Sequence, residues 1–249
     1  MEAFILRFIR KSLIYILIIT LMFFINTNMV SAVTPSSEPA YQGIDVSDWQ
    51  GYIDYSRVKA SGIDIVYIKS SQGSNIKDAY FDINYENAKA NGLKVGFYHF
   101  LTATNTAEAE QEAQFFASVI SGKVPDCRLA MDYEVFGGVS VAEINNIAQV
   151  FLESVKRLTN KEVIIYSDLS NSRDTFGIEL AQNYPLWLAY YGDYNELNNI
   201  ENNWETWQGV QYTDRGIVNG ISGNVDRDIY TKEIFLDEPS RNTTNRKSK

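Results

Sequence analysis

Asp132 and Glu134 lie two residues apart at the end of a predicted strand that spans residues 128–134. Side chains alternate along a β-strand, so both carboxylates are expected to point to the same side, while Tyr133 between them faces the opposite side, towards a helix. Two neighbouring carboxylates can divide acid and base work, because the surroundings of each one set its pKa. The pair therefore indicates a hydrolytic site, although many kinds of hydrolase share such a pair.

Two further aspartates occupy comparable positions on other predicted strands. Asp45 lies on the first predicted strand, and Asp226 lies on the last. In parallel barrels and open α/β sheets, functional residues gather at the carboxyl ends of the strands. If the sheet closes, its first and last strands become neighbours, and we expect the four carboxylates to share one acidic pocket.

The elements that must position these acids alternate between strand-length and helix-length patterns, which is typical of βα units and a mostly parallel sheet. The predicted strands span residues 43–47, 63–70, 94–100, 128–134, 162–167 and 186–190. The predicted helices span residues 55–60, 80–91, 106–121, 141–159 and 176–182. Two more strands, 206–213 and 223–230, follow with a turn-rich segment between them and no room for a helix. The sheet is thus expected to begin as βα units and to end as hairpins.

Two of the helices carry a start signal in the sequence. Asn105 is followed three residues later by Glu108, and Ser140 is followed by Glu143 in the same way. This is the spacing of a capping box, in which the first side chain and the glutamate each bind a backbone N–H of the other residue.

The two ends of the chain differ from its middle. Residues 1–32 combine a basic start, an apolar run and a small-residue site, so we predict an export signal cleaved after Ala32, with a retained membrane anchor as the alternative. Residues 33–40 are predicted to form a flexible lead, residues 41–236 a single catalytic domain, and residues 237–249 a disordered polar and basic tail. The protein is therefore expected outside the cell and at the cell wall, or tethered to the outer face of the cytoplasmic membrane.

Charge and composition exclude several classes of function. The formal net charge is −9 and becomes more negative without the basic start, which argues against nucleic acid as a partner and allows membrane contact only through a retained signal. Cys127 is the only cysteine, so no intramolecular disulfide can form, and we expect it to fill core space. His99 is the only histidine, which disfavours Ser-His-Asp and Cys-His mechanisms, and we expect a hydrogen-bonded structural residue near the pocket floor.

The sequence resembles glycoside hydrolase family 25, the Chalaropsis-type lysozymes, over essentially all of residues 42–235. Several motifs carry the resemblance in the family's order: GIDVSDWQG at 43–51, YIKSSQG at 67–73, GFYHF at 96–100, AMDYE at 130–134, LWLAY at 186–190, and QY at 211–212 with GNVD at 223–226. The resemblance implies an irregular TIM-like barrel with five βα units followed by three strands. It also implies hydrolysis of the β-1,4 bond between N-acetylmuramic acid and N-acetylglucosamine in peptidoglycan.

The resemblance further implies roles for the acids. Glu134 matches the general acid, and Asp132, Asp45 and Asp226 match the other active-site acids. The role of Asp132 stays open between stabilising the transition state, acting as nucleophile and orienting the substrate's acetamido group, and we favour the last, with retention of configuration.

Other residues are candidates for binding the glycan strand. Sugar rings stack on aromatic faces, and the aromatic residues at strand ends or on the motifs are Trp49, Tyr98, Trp187, Tyr191 and Tyr212. Lys69, on an otherwise apolar strand, either pairs with an acid of the cluster or extends to the surface.

Three functions from different classes are considered. An exported muramidase, expected to be a monomer without cofactor or metal, is the leading hypothesis. A metal-dependent hydrolase is the second, because a cluster of carboxylates can hold hard cations. A non-catalytic cell-wall-binding module is the third, although a pure binder needs no cluster of like charges.

Overall fold

Eight strands form a closed barrel in the computed structural model, which describes residues 31–236. The strands are β1 (Tyr41–Val46), β2 (Ile65–Gln72), β3 (Lys94–Phe100), β4 (Leu129–Asp132), β5 (Val163–Asp168), β6 (Leu186–Ala189), β7 (Thr206–Gly216) and β8 (Val225–Tyr230). Neighbouring strands from β1 to β7 pair in parallel. The last strand, β8, is antiparallel to both β7 and β1 and closes the barrel. The predicted mixed α/β barrel, with βα units followed by a terminal hairpin, is confirmed.

Helices follow the parallel strands and cover the outside of the barrel. They are α1 (Tyr55–Ala60), α2 (Phe81–Ala90), α3 (Thr106–Val119), α4 (Val141–Thr159), α5 (Leu169–Asp174) and α6 (Ile178–Asn183). Short 3-10 helices cover Asp48–Gln50, Tyr194–Asn199 and Lys232–Ile234. The sequence pattern did not reveal α5, which is a short polar turn capped by Asp168. Within residues 31–236, no helix is long and apolar enough to cross a bilayer.

The two predicted helix starts differ in detail. At α4 the predicted capping box is complete, with Ser140 and Glu143 each bonded to the backbone of the other. At α3 only half of it forms: Asn105 accepts from the Glu108 N–H at 3.0 Å. The Glu108 carboxylate instead accepts from the backbone and hydroxyl of Thr104, at 2.7 and 2.9 Å.

Strand alternation divides the core into two layers. Outward-facing residues such as Ile44 and Met131 pack with the helices, whereas Tyr67, Trp187 and Tyr230 fill the barrel interior. Tyr133 belongs to the outer layer, as its position predicts. Cys127 is fully buried, which confirms its assignment to the core, and burial raises the pKa of its thiol.

The aromatic rings inside the barrel leave no room for a side chain at two glycine positions. A Cβ on Gly96 would lie 2.3 Å from the Tyr67 ring, and one on Gly209 would lie 2.6 Å from the Tyr230 ring. These glycines let three large aromatic residues fill a narrow barrel, so the floor beneath the carboxyl ends is closed.

The lead predicted to be flexible over residues 33–40 instead packs against the barrel. Val33 is fully buried, and Thr34–Pro35 forms a short strand parallel to β7. The amides of Thr34 and Ser36 donate to Glu205 and Trp207 carbonyl oxygens at 3.0 and 2.9 Å. Pro/Ser-rich composition gave no sign of these long-range backbone bonds. The predicted export signal up to residue 30 and the predicted tail at 237–249 lie outside the described residues.

Candidate active site

A cleft of about 340 Å³ opens at the carboxyl ends of the parallel strands. Ten residues were predicted from the sequence for the site, and all of them except Tyr212 line this cleft. Strand alternation explains which residues line the cleft, because every second residue of a strand points into the barrel while its neighbours pack against helices. The strand ends therefore bring together acids that are up to 181 positions apart, from Asp45 to Asp226.

Asp132 is the last residue of β4 and is only 8% exposed. Burial raises the pKa of its carboxyl well above the usual range, Glu134 raises it further, and the charge of Lys69 opposes the shift. One carboxyl oxygen, Oδ1, is buried and has no hydrogen-bond partner within residues 31–236. Asp132 thus lines the cleft with a carboxyl group that is largely shielded from solvent.

Glu134 lies two residues beyond the end of β4, and its side chain is exposed at the cleft. Its pKa is nevertheless raised, first by partial loss of solvent and then by the charges of Asp168 and Asp226. An accessible carboxyl that keeps its proton to higher pH has the properties required of a general acid.

Asp45 and Asp226 face each other across the β8–β1 ladder, where they are register partners. The pKa of Asp45 is raised well above normal by burial, then by the charges of Asp228 and Asp226. Burial also raises the pKa of Asp226, while a hydrogen bond with Asp45 opposes that shift. Two carboxyl groups that interact in this way influence each other's pKa, so their titrations are linked.

Gln211 holds Asp45 in place, and sequence reasoning missed it. Its Oε1 accepts from the hydroxyls of Tyr166 and Tyr191, at 2.9 and 2.8 Å. With Oε1 occupied by two donors, Nε2 faces Asp45 and donates to its Oδ2 at 2.8 Å. The sequence contained a signal for this role, because strand alternation puts Gln211 and Tyr212 on opposite faces of β7, so only one of them can face the cleft.

Tyr212 accordingly lies outside the cleft, which corrects the prediction that it lines the groove. It packs against the outer layer of the core, and its hydroxyl donates to Gln42 at 3.4 Å. The Arg227 guanidinium lies 5.9 Å from the centre of its ring.

Asp228 is a second residue that the sequence analysis overlooked. It is fully buried two positions after Asp226, on the same face of β8, and Trp187 Nε1 donates to its Oδ1 at 3.0 Å. Burial and the nearby Asp226 raise the pKa of Asp228 well above its ordinary value. The carboxyl thus lies beneath the acid pair and anchors the Trp187 indole, which forms part of the cleft floor.

The aromatic candidates contribute in different ways. Trp49 is 89% exposed and Tyr191 is 57% exposed, so each offers a ring face to a ligand. Trp187 is only 2% exposed and serves as floor. Tyr98 is half-buried, and burial followed by the charges of Asp45 and Asp132 raises the pKa of its hydroxyl.

Comparison with known proteins places this arrangement in a family. Residues 44–221, most of the chain, match the profile described as "Glycosyl hydrolases family 25". The chain belongs to glycosyl hydrolases family 25. The family predicted from the sequence motifs is confirmed, and with it the enzyme class of glycoside hydrolase.

Two relatives of this family 25 chain are named as lysozymes. It is 36% identical over 197 residues to the "Autolytic lysozyme" of Clostridium acetobutylicum, an alignment that covers 78% of this chain and 57% of the relative. It is 33% identical over 207 residues to "Lysozyme M1" of Streptomyces globisporus, covering 79% of this chain and 69% of the relative. A crystal structure of the bacterial lysozyme from Streptomyces coelicolor superposes with a TM-score of 0.67 at 32% identity, covering 78% of this chain and 93% of the other.

Lys69 and His99 take positions that the sequence left open or placed differently. Lys69 lines the cleft of the family 25 domain, donates to Gln72 Oε1 at 3.0 Å and lies 4.9 Å from the centre of the Phe100 ring. His99 does not reach the pocket floor, because its position on β3 turns it towards the helices. There its ring bonds Ser71 at 2.8 Å and Glu112 at 3.0 Å, and burial lowers its pKa.

Among residues 31–236, no group of three or more His, Cys, Asp or Glu side chains is arranged to hold a metal ion.

Proposed function

We propose that this chain is an exported peptidoglycan hydrolase that cleaves the β-1,4 bond between N-acetylmuramic acid and N-acetylglucosamine. The observation that carries the proposal is the pairing of Glu134, exposed at the cleft with a raised pKa, with the buried Asp132 on the same strand face. Family membership and the lysozyme names of two relatives support the substrate.

In the proposed reaction, Glu134 donates its proton to the glycosidic oxygen as the bond to the leaving sugar breaks. The charges of Asp168 and Asp226 support this role, because they help Glu134 to keep its proton until substrate arrives. After bond cleavage, the Glu134 carboxylate can take a proton from the incoming water.

Asp132 is proposed to orient the acetamido group of the muramic acid, whose carbonyl oxygen then acts as internal nucleophile with retention of configuration. A buried carboxyl with a raised pKa is a poorer nucleophile than an ordinary aspartate, because it keeps its proton to higher pH. The Asp132 carboxyl lines the cleft, and its Oδ1 has no hydrogen-bond partner among residues 31–236, so the group has acceptor capacity left for the acetamido N–H. Proton NMR of the first product anomer distinguishes retention from inversion, and an inverted product would refute this role.

The bond specificity is tested by digesting purified peptidoglycan, reducing the products with borohydride and identifying the reduced sugar by mass spectrometry. Reduced muramic acid is expected, and Glu134→Gln should lower the rate by about 10²–10⁴-fold. Glu179→Gln is the matched control, since Glu179 is exposed on α6 and is not among the cleft-lining residues. Reduced glucosamine, or an undiminished rate in Glu134→Gln, would refute the proposal.

Two arms of the same assay address the alternatives. Activity that survives exhaustive chelation eliminates the metal-dependent hydrolase. A protein that sediments with cell walls but releases no reducing ends would instead be a wall-binding module.

Export is proposed from residues 1–32, with cleavage after Ala32. The basic start, apolar run and small-residue site support it. The Val33 N–H donates to the Ile200 carbonyl oxygen at 3.3 Å, and an amino terminus created there can keep that bond. Amino-terminal sequencing of the protein secreted by a bacterial host should begin at Val33, whereas an intact terminus in the membrane fraction would indicate tethering.

A further inference from the structure

A second groove, of about 460 Å³, lies beside the catalytic cleft and shares Trp49 and Lys69 with it. Its far wall is the short strand Ile76–Lys77, which folds back antiparallel to the end of β2. The two spaces meet at shared residues, so one branched ligand can occupy both. We call this second space the side groove.

Trp49 lines both spaces and is 89% exposed, while hydrogen bonds hold the backbone of the turn that carries it. The backbone N–H of Trp49 donates to Ser47 Oγ at 3.3 Å, and the backbone N–H of Ser47 donates to Gln50 Oε1 at 2.9 Å. The neighbouring Asp48 N–H donates to Asp78 Oδ2 at 2.9 Å. Exposing a large indole on a fixed turn leaves apolar surface in water, which a ligand passing on either side of the ring would cover.

The two spaces differ in charge. Five acids and a single cation, Lys69, line the catalytic cleft in the part of the chain that is described. Two cations, Lys69 and Lys77, and two acids, Asp48 and Asp78, line the side groove, together with the amide of Gln72 and the 54% exposed side chain of Ile76. The Asp78 oxygens accept the backbone N–H groups of Asp48 and Tyr80. The lining of the side groove thus has equal numbers of cations and acids, whereas acids are in excess in the catalytic cleft, so an anionic ligand group meets less repulsion in the side groove.

We propose that the side groove binds the peptide stem carried by the muramic acid, while the glycan strand lies in the catalytic cleft. The inference rests on the proposed function. Peptidoglycan branches at the lactyl group of muramic acid, so a hydrolase that holds this sugar must also accommodate a peptide beside it. Stem carboxylates fit the two ammonium groups, and alanine methyl groups fit Ile76 and the outer face of Trp49.

The test compares intact peptidoglycan with the same material stripped of its stems by an N-acetylmuramoyl-L-alanine amidase. The test variant combines Ile76→Ser with Lys77→Gln, two residues that line only the side groove. The matched control combines Ile83→Ser with Lys123→Gln. Lys123 pairs with Asp82 and lies over the Phe81 ring just as Lys77 does, and Ile83 is 44% exposed, but neither lines the side groove.

The test variant should lose about fivefold in kcat/KM on intact peptidoglycan and less than twofold on the stripped glycan, as expected for one exposed charge contact and a small apolar contact. The control should stay within twofold of wild type on both substrates. Equal losses on the two substrates, or no loss relative to the control, would overturn the inference while the proposed function stands. A wild-type protein that releases no muramic acid ends from either substrate would overturn both.

Discussion

Replacing Asp228 with asparagine should stabilise the protein, and the gain should grow with pH. Asp228 is fully buried, and its pKa is raised well above normal by burial and by Asp226. Between the pKa of the unfolded chain and the raised pKa of the folded state, the folded state therefore holds a proton that the unfolded chain has released. Stability falls with pH wherever the folded state binds more protons, at about 1.4 kcal/mol per pH unit for one group. Asparagine keeps the acceptor for Trp187 Nε1 and, because it does not titrate, removes this loss of stability with rising pH.

The free energy of unfolding of wild type and Asp228→Asn should be measured by urea denaturation at pH 4.5, 5.5 and 6.5. The difference should rise in favour of the variant by up to about 1.4 kcal/mol per pH unit above the unfolded pKa of about 3.9. Below that pH, Asp228 is protonated in both the folded and the unfolded state, so the difference in stability no longer changes with pH. A difference that stays constant, or that turns against the variant as pH rises, would refute the assignment of a protonated Asp228.

Asp126 provides a control, because its pKa is shifted in the opposite direction to that of Asp228. Although its burial alone would raise its pKa, hydrogen bonds from Lys89, the Val95 N–H and Lys94 hold the pKa below its usual value. Its ionised form therefore stabilises the folded state above the unfolded pKa, and this stabilisation is lost as pH falls through the folded pKa. Asp126→Asn should accordingly destabilise the protein at pH 6.5, and the loss should shrink towards pH 3.

Two further predictions concern the cleft. Asp226→Asn removes a charge that raises the pKa of Glu134, so the alkaline limb of the kcat/KM profile should move to lower pH, and an unmoved limb would contradict the electrostatic link. Tyr166→Phe should lower kcat/KM about fivefold, because it removes one hydrogen bond worth about 1 kcal/mol from Gln211. Tyr212→Phe is its half-buried counterpart outside the cleft and should change kcat/KM less than twofold, with equal effects of the two changes contradicting the assignment of faces.

Much of the fold could be predicted because local patterns and the tertiary structure agree. The bounds of α1, β3 and α4 match the predicted ranges 55–60, 94–100 and 141–159 residue for residue. The misses have physical causes. Val33 and the strand after it are held by backbone bonds to residues about 170 positions away, for which no local signal exists.

At the candidate site, too, the local strand pattern could be predicted, whereas contacts between distant residues could not. Strand alternation alone selected Asp45 and Asp132, and applied more strictly it would have chosen Gln211 over Tyr212 and turned His99 away from the pocket. The network from Tyr166 through Gln211 to Asp45 joins three strands, so it exists only when the barrel closes.

By itself, the sequence determined the elements, the family and the acids, because residue types, spacing and alternation are local properties of the chain. Only the tertiary structure decided how those acids behave. Burial and like charges, contributed by residues far apart in sequence, raise the pKa of Asp132, Glu134 and Asp45. Desolvation depends on everything that surrounds a group, and no stretch of sequence contains that information.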